Sequence, residues 1–73
     1  MYKFNERLKL LRIENNKTQR EIAIAINITD KNYQKLEYGT SKPSFDTLIK
    51  LADYYNVSLD YLVGRTENNS HNN

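Results

Sequence analysis

Three polar side chains lie close together in the middle of the chain, where Gln34 and Lys35 follow Lys31 by three and four residues. On a helix that advances by about 100° per residue, this spacing puts them on one face, with Thr29 and Asp30 at its exposed start. Together they offer two ammonium groups, an amide that donates and accepts, a hydroxyl and a carboxylate. Such groups can hydrogen-bond base edges in a DNA major groove. An ordinary solvated helix face has a similar composition, so the face alone leaves both interpretations open.

The helix that carries this face follows another helix after a very short corner. Thr18 and Glu21 have the spacing of a capping box at the start of a helix, and Asn27 suits the left-handed position that ends it. The next helix begins only two residues later, with Ile28 in the corner and Thr29 as the N-cap. Because helices joined this tightly cross steeply, the sequence predicts a helix-turn-helix.

The remaining helices follow from apolar residues, which recur at intervals of three and four and never alternate with period two over a useful length. A first helix is predicted from Asn5 to Asn15, with Asn5 as its N-cap. Ser44 is the predicted N-cap of a fourth helix, with Phe45 on its apolar face. Ser58 is the predicted N-cap of a short fifth helix. The chain is therefore predicted to be all-α, with five helices.

The composition excludes several classes of function. With 73 residues the chain holds one core, so we assign residues 1–65 to one domain and residues 66–73 to a disordered polar tail. It contains no cysteine, and its one histidine, His71, lies in that tail. Without a metal cluster, a cysteine nucleophile or a glycine-rich phosphate loop, we expect no enzyme, no cofactor and no metal. No apolar run approaches the roughly 20 residues of a membrane span, so we expect no membrane association.

The charge is unevenly distributed along the chain. Residues 1–42 contain nine Lys and Arg against five Asp and Glu, whereas residues 43–73 contain two against four. The first part therefore carries +4 and the second −2. A basic front and an acidic back favour a polyanion partner on one side, although small charge biases of this kind are common.

Two charged residues fall on apolar helix faces. Arg12 lies within about 40° of Leu8, and Glu37 lies within about 40° of Tyr33. Since an unpaired buried charge is very costly, we predict that Arg12 and Glu37 pair and pin the first helix to the end of the third. The alternative is that both side chains extend to solvent.

Several short segments, taken together with their spacing, resemble one family. They are Thr18–Ala23 (TQREIA), Ile28–Thr29 (IT), Glu37–Gly39 (EYG), Lys42–Ser44 (KPS) and Val57–Gly64 (VSLDYLVG). This pattern, from Phe4 to Gly64, resembles the helix-turn-helix domain of the Cro/phage-repressor (Xre-like) transcriptional regulators. The resemblance implies a compact lambda-repressor-like fold of five helices, with the third helix in the major groove of double-stranded DNA.

The resemblance also implies a role for each matching residue. It places base reading and nearby backbone contacts at Thr29, Asp30, Lys31, Gln34 and Lys35. It places phosphate binding at Gln19 and in the loop before the fourth helix, at Thr40, Ser41 and Lys42. Thr18, Arg20 and Asn32 are further candidate phosphate contacts. It gives the Arg12 and Glu37 couple a structural role. The chain departs from the family pattern at Asn27, which replaces a turn glycine. It departs again at Tyr33, which replaces an aliphatic residue and brings a hydroxyl that needs a partner.

The sequence is compatible with two functions. The first is a sequence-specific DNA-binding regulator, a repressor that binds a near-palindromic operator as a homodimer. Candidate dimer contacts are Tyr55, Leu59 and Val63. By the resemblance this protein would be bacterial or phage-encoded and cytoplasmic. The alternative is an antitoxin-type module that sequesters a protein partner. Its candidate surface is Leu10, Ile13 and Ile24 together with the tyrosines Tyr54, Tyr55 and Tyr61.

Overall fold

The computed structural model describes residues 3–68, and these residues form five α-helices and no β-strand. The helices are α1 (Phe4–Glu14), α2 (Gln19–Ala25), α3 (Asp30–Tyr38), α4 (Phe45–Tyr55) and α5 (Leu59–Leu62). The all-α prediction with five helices is therefore confirmed. Of the tail predicted over residues 66–73, only residues 66–68 are described, and His71 lies outside the described residues.

Four of the helices begin at the hydroxyl residues predicted to cap them. The side-chain oxygen of each cap accepts the backbone N–H three residues later, at 3.0–3.1 Å: Thr18 from Glu21, Thr29 from Asn32, Ser44 from Thr47 and Ser58 from Tyr61. These bonds satisfy N–H groups that have no partner within the helix. The starts of α2 to α5 are thus set by local sequence.

The predicted N-cap of α1 is wrong by two residues. Lys3, not Asn5, is the N-cap, and its backbone N–H donates to the Glu6 carboxylate at 3.0 Å. Because this bond closes the first turn around Lys3, Asn5 lies inside the helix. Its side-chain Nδ2 instead lies 3.5 Å from the Glu37 carbonyl oxygen at the end of α3.

Each of these five helices is followed by a residue with positive φ: Asn16, Asn27, Gly39, Asn56 and Gly64. At the corner between α2 and α3, the Asn27 N–H donates to the Ile24 carbonyl at 3.1 Å. The Ile28 N–H donates to the Ala23 carbonyl at 2.9 Å. This pair of bonds is a Schellman motif, which satisfies carbonyls left open at the helix end. It also turns the chain so that α3 starts only a few residues after α2 ends.

Asn27→Ala is expected to lower the free energy of unfolding by about 1–2 kcal/mol, because φ is 63° at this position and alanine tolerates the left-handed region poorly. Asn27→Gly, which adopts that conformation without strain, is the matched control and is expected to stay within about 0.5 kcal/mol of the wild type. Urea unfolding of both variants measures the difference. Equal losses in both variants would mean that the Asn27 side chain, and not its backbone conformation, matters.

The core lies where α1 to α5 meet. The predicted inward residues Ile22, Ala23 and Ile26 of α2 are buried, as are Tyr33 and Leu36 of α3. Ala23 is fully buried, and its small side chain lets α3 lie close to α2. Because these residues are buried, the opposite face of α3 is exposed to solvent. A ligand can therefore approach α3 from that face.

Phe45 was predicted on the apolar face of α4, and this prediction is wrong. Its side chain is 72% exposed. Phe45 is the first residue of α4, and helix side chains tilt toward the N-terminus. The ring therefore projects beyond the start of the helix and beyond the core, whereas Leu51 and Ala52 farther along α4 are buried.

Candidate nucleic-acid interface

The polar face of α3 is open to solvent. Lys31 and Lys35 are both exposed, and Gln34 between them is half-buried. Thr29 is exposed at the start of the helix, and its hydroxyl oxygen accepts the Asn32 N–H at 3.1 Å, which leaves the hydroxyl hydrogen able to donate. The structure thus keeps the predicted base-reading side chains on one accessible face, with the half-buried Asp30 at its edge.

The N-terminus of α2 presents a second group of predicted contacts. Thr18 and Glu21 form the predicted capping box: the Thr18 N–H donates to the Glu21 carboxylate at 2.8 Å, and the Glu21 N–H donates to the Thr18 hydroxyl at 3.1 Å. Hydrogen bonding to the Thr18 backbone lowers the pKa of Glu21. Arg20 is exposed and Gln19 is half-buried. A helix N-terminus with such side chains is suited to an anion such as phosphate.

The loop between α3 and α4 supplies the third group. Thr40, Ser41 and Lys42 are all exposed. The Thr40 N–H donates to the Lys35 carbonyl at 3.1 Å, which fixes the loop to the last turn of α3. Two hydroxyls and an ammonium group therefore follow directly after the polar face of α3.

A buried cluster of hydrogen bonds lies beneath α2 and α3, centred on the Glu37 carboxylate. The Glu37 side chain is 1% exposed and that of Arg12 is 15% exposed. The Arg12 guanidinium donates from Nε to Glu37 Oε2 at 2.6 Å and from Nη2 to Oε1 at 3.1 Å. Arg12 Nη1 also donates to the Lys17 carbonyl at 3.0 Å. The two charges predicted to pair are thus brought together by a bidentate contact between α1 and α3.

Two further side chains donate to the same carboxylate. The Tyr33 hydroxyl donates to Glu37 Oε2 at 2.5 Å, and Gln19 Nε2 donates to Glu37 Oε1 at 3.2 Å. The sequence alone did not identify a hydrogen-bond partner for the Tyr33 hydroxyl, and the structure gives Glu37 as that partner. The Tyr33 ring is fully buried. Glu37 therefore accepts from three side chains, one on each of the first three helices.

This environment shifts the pKa of each titrating member of the cluster. Burial alone would raise the pKa of Glu37, but the hydrogen bonds from Arg12, Tyr33 and Gln19 outweigh it and hold that pKa below its usual value. The hydrogen bond to Glu37 raises the pKa of Arg12. Burial, followed by the hydrogen bond to the Glu37 carboxylate, raises the pKa of Tyr33. Arg12 and Glu37 stay charged and Tyr33 stays neutral at neutral pH.

The sequence interpretation missed Tyr38, which belongs to the polar face of α3. Its side chain is 67% exposed. Tyr38 follows Lys31 by seven residues and Lys35 by three, so it shares their helical face. That spacing was present in the sequence and could have identified it. The open face of α3 therefore ends in an aromatic ring and a phenolic hydroxyl.

Arg7 is the second residue that the sequence interpretation missed. It is 2% exposed, with its guanidinium carbon 3.8 Å from the centre of the Tyr61 ring. Its Nη2 also pairs with Glu67 Oε1 at 3.0 Å. Arg7 lies four residues before Leu11, which is a core residue, so helical spacing could have placed it on the inward side. This contact joins α1 to α5 and to the residues that follow α5.

The predicted dimer contacts Tyr55, Leu59 and Val63 are all half-buried. Tyr55 and Leu59 pack against the core of their own chain, and burial raises the pKa of Tyr55. Only part of each side chain is therefore available to a second copy. The predicted apolar patch is more open, since Ile24 is 67% exposed and Ile13 is 53% exposed.

Between residues 3 and 68, no group of His, Asp and Glu side chains could hold a metal ion. No helix there is long and apolar enough to cross a membrane.

Comparison with known proteins identifies the family. A sequence profile described as helix-turn-helix matches residues 8–62, which is most of the chain. The chain is 44% identical over 62 residues to the HTH-type transcriptional regulator ImmR of Bacillus subtilis, covering 85% of this chain and 49% of that protein. It is 41% identical over 63 residues to the cryptic phage CTXphi transcriptional repressor RstR of Vibrio cholerae, covering 86% and 56%.

A solved structure agrees with the fold. The crystal structure of a transcriptional regulator from Listeria innocua aligns with a TM-score of 0.83 and 32% sequence identity, over 90% of this chain and 62% of that chain. The chain spans about half the length of the curated relatives it matches. These relatives are named as transcriptional regulators, and RstR as a phage repressor. From the profile match, the relatives and the shared five-helix fold together, the chain belongs to the Cro/C1-type helix-turn-helix family of transcriptional regulators.

Proposed function

We propose that this protein is a sequence-specific regulator that binds double-stranded DNA with α3 in the major groove and represses transcription in the bacterial cytoplasm. The observation that supports the proposal is the open face of α3. Lys31 and Lys35 are exposed there, whereas Tyr33 and Leu36 on the opposite side of the helix are buried in the core. A recognition helix must present its polar side chains in this way for them to reach base edges.

The phosphate contacts belong to the elements on either side of α3. We assign them to the start of α2, where Gln19 and the exposed Arg20 lie, and to the exposed loop from Thr40 to Lys42. Such contacts fix the register of the protein on the duplex, while base contacts give specificity. We further propose that two copies bind together, with their α3 helices about 34 Å apart in successive major grooves of a near-palindromic operator.

The test is selection of duplexes from a random pool, followed by titration of a fluorescent copy of the selected duplex at several salt concentrations. We expect an enriched near-palindrome whose half-sites are centred about 10 base pairs apart, and an affinity that falls steeply with salt. A single enriched half-site would reject the dimer. An absence of binding at low salt, or an affinity that does not change with ionic strength, would reject the proposal as a whole.

A second candidate function, an antitoxin-type module that binds a protein partner, is favoured by the exposure of Ile24 and Ile13. A pull-down that recovers a stoichiometric protein partner with the wild type, and not with Ile24→Ser, would support it. Loss of DNA binding on substitution of Lys31 and Lys35 would show that α3 serves DNA, whether or not a protein partner also binds.

A further inference from the structure

We propose that the buried Tyr33 hydroxyl is a positioning group for DNA binding: through the Glu37 carboxylate it holds the Gln19 side chain in place to bind a DNA phosphate. The inference rests on the proposed function, because it assumes that Gln19 contacts the DNA backbone. It extends that function to Tyr33, which is fully buried and cannot contact DNA itself.

The two oxygens of the Glu37 carboxylate accept from different sets of donors. Oε2 accepts from Tyr33 at 2.5 Å and from Arg12 Nε at 2.6 Å, whereas Oε1 accepts from Arg12 Nη2 at 3.1 Å and from Gln19 Nε2 at 3.2 Å. The two bonds to Oε2 are the shorter ones. They hold Oε2 in place, and together with the Arg12 bond to Oε1 they set the direction from which Oε1 accepts the Gln19 amide.

The orientation of the Glu37 carboxylate determines how the Gln19 side chain is held at the protein surface. Gln19 is half-buried and opens α2. One N–H of its side-chain amide is held by Glu37, and a primary amide has two N–H donors. The second N–H is therefore presented from a fixed direction at the start of α2. A fixed donor binds phosphate more tightly than a mobile one, because no rotamer freedom is lost on binding.

Arg12 alone cannot replace Tyr33. Arg12 lies on α1 and approaches the carboxylate from there, whereas Tyr33 lies on α3 one turn before Glu37. Removing the hydroxyl removes the only donor to Glu37 that is on the same helix among residues 3–68. The carboxylate is then free to follow Arg12, and the acceptor for Gln19 moves with it.

The decisive experiment is a double-mutant cycle on DNA affinity with Tyr33→Phe and Gln19→Ala. The affinity for the selected duplex is measured at a temperature where circular dichroism shows every variant folded. Tyr33→Phe keeps the buried ring and should weaken binding about two- to tenfold, the usual effect of one hydrogen bond. Gln19→Ala should weaken binding at least as much, and adding Tyr33→Phe to it should cause no further loss. Tyr61→Phe, a change of the same kind in α5, is the control and should leave affinity unchanged.

The salt dependence provides a second readout that a merely structural effect would not reproduce. Because Gln19 is neutral, both variants should keep the wild-type slope of affinity against salt, and both should weaken the selected and a scrambled duplex equally. Additive losses in the cycle, or an unchanged affinity in Tyr33→Phe, would overturn the inference. If the wild type binds no DNA, the proposed function itself fails, which is a different result.

A measurement on the wild type tests the inference even if Tyr33→Phe fails to fold. The side-chain amide of Gln19 should be rigid in solution without DNA, with an NMR order parameter close to the value of about 0.85 seen for ordered backbone. An order parameter below about 0.6 would mean that Gln19 is mobile and that nothing positions it, and the inference would be rejected.

Discussion

Glu37→Ala is expected to lower the free energy of unfolding by about 3–5 kcal/mol, because it leaves the Arg12 guanidinium with its charge in a site built for a carboxylate. The Arg12 side chain is only 15% exposed, and Tyr33 and Gln19 lose the same acceptor. A 73-residue domain has roughly 4–11 kcal/mol of stability in total. The melting temperature should therefore fall by at least about 12 °C, as measured by circular dichroism.

The surface pair between Asp46 and Lys50 is the matched control. It has the same kind of contact, at 3.2 Å, but the side chains are 77% and 42% exposed. Asp46→Ala removes a carboxylate as Glu37→Ala does, and should cost less than about 1 kcal/mol. If the two variants lost a similar free energy of unfolding, the burial of Glu37 would add nothing to its contribution to stability.

The pH dependence of stability gives an independent check on Glu37. Its pKa is lowered in the folded protein, so its contribution to stability is present above the unfolded value of about 4.3 and is lost as pH falls through the folded value. The difference in stability between the wild type and Glu37→Ala should therefore be constant from pH 7 to about pH 5. It should shrink in more acidic solution. A difference that grew on acidification would contradict the lowered pKa.

Lys31→Ala is expected to weaken binding to the selected operator by about 1–3 kcal/mol, which is about 5- to 150-fold, and to flatten the base preference at one position. Lys31 is exposed in the first turns of α3, the part of a recognition helix that meets base edges. Lys35→Ala, one turn later, should have an effect of the same kind at another position. Titration against the selected duplex and its single-base variants measures both effects.

Lys50→Ala is the control for the loss of one positive charge. Lys50 lies on α4, where its Nζ is 3.5 Å from the Ile26 carbonyl and 3.2 Å from the Asp46 carboxylate, and it is not one of the residues assigned to the interface. It should leave affinity and base preference almost unchanged. If Lys31→Ala weakened all sequences equally and lowered the salt slope by about one, Lys31 would bind a phosphate and would not read a base.

The sequence predicted best those features that depend on close neighbours along the chain. The caps Thr18, Thr29, Ser44 and Ser58 were identified because a hydroxyl and the N–H it accepts are three residues apart. Asn27 was identified because few residues tolerate its backbone conformation. Asn5 failed as a cap because Glu6 closed the turn around Lys3 instead, a competition between neighbours that the residue types alone do not decide.

Features that depend on how helices meet were predicted only in part. The phase of each helix put Arg12 and Glu37 on inward sides, and the structure joins them at 2.6 Å. Phase could not show that Gln19 also reaches Glu37, because that contact depends on the arrangement of α2 on α3. Nor could it show that Tyr33 donates to the same carboxylate and not to the backbone. Phe45 was misplaced because helical spacing says nothing about how far a core extends along a helix.

The ends of each helix are capped by residues close to it in sequence, and this affects how quickly a newly made molecule folds. Among the five helices described, the capping bonds and the backbone–backbone bonds that close both ends join residues no more than five positions apart. Chains dominated by such near-neighbour contacts fold within microseconds to milliseconds. Ribosomes add only about 5–20 residues per second, so synthesis takes seconds and folding is not the slow step. On the proposed function, the delay before a newly made molecule binds DNA is therefore set by translation and by the search along DNA.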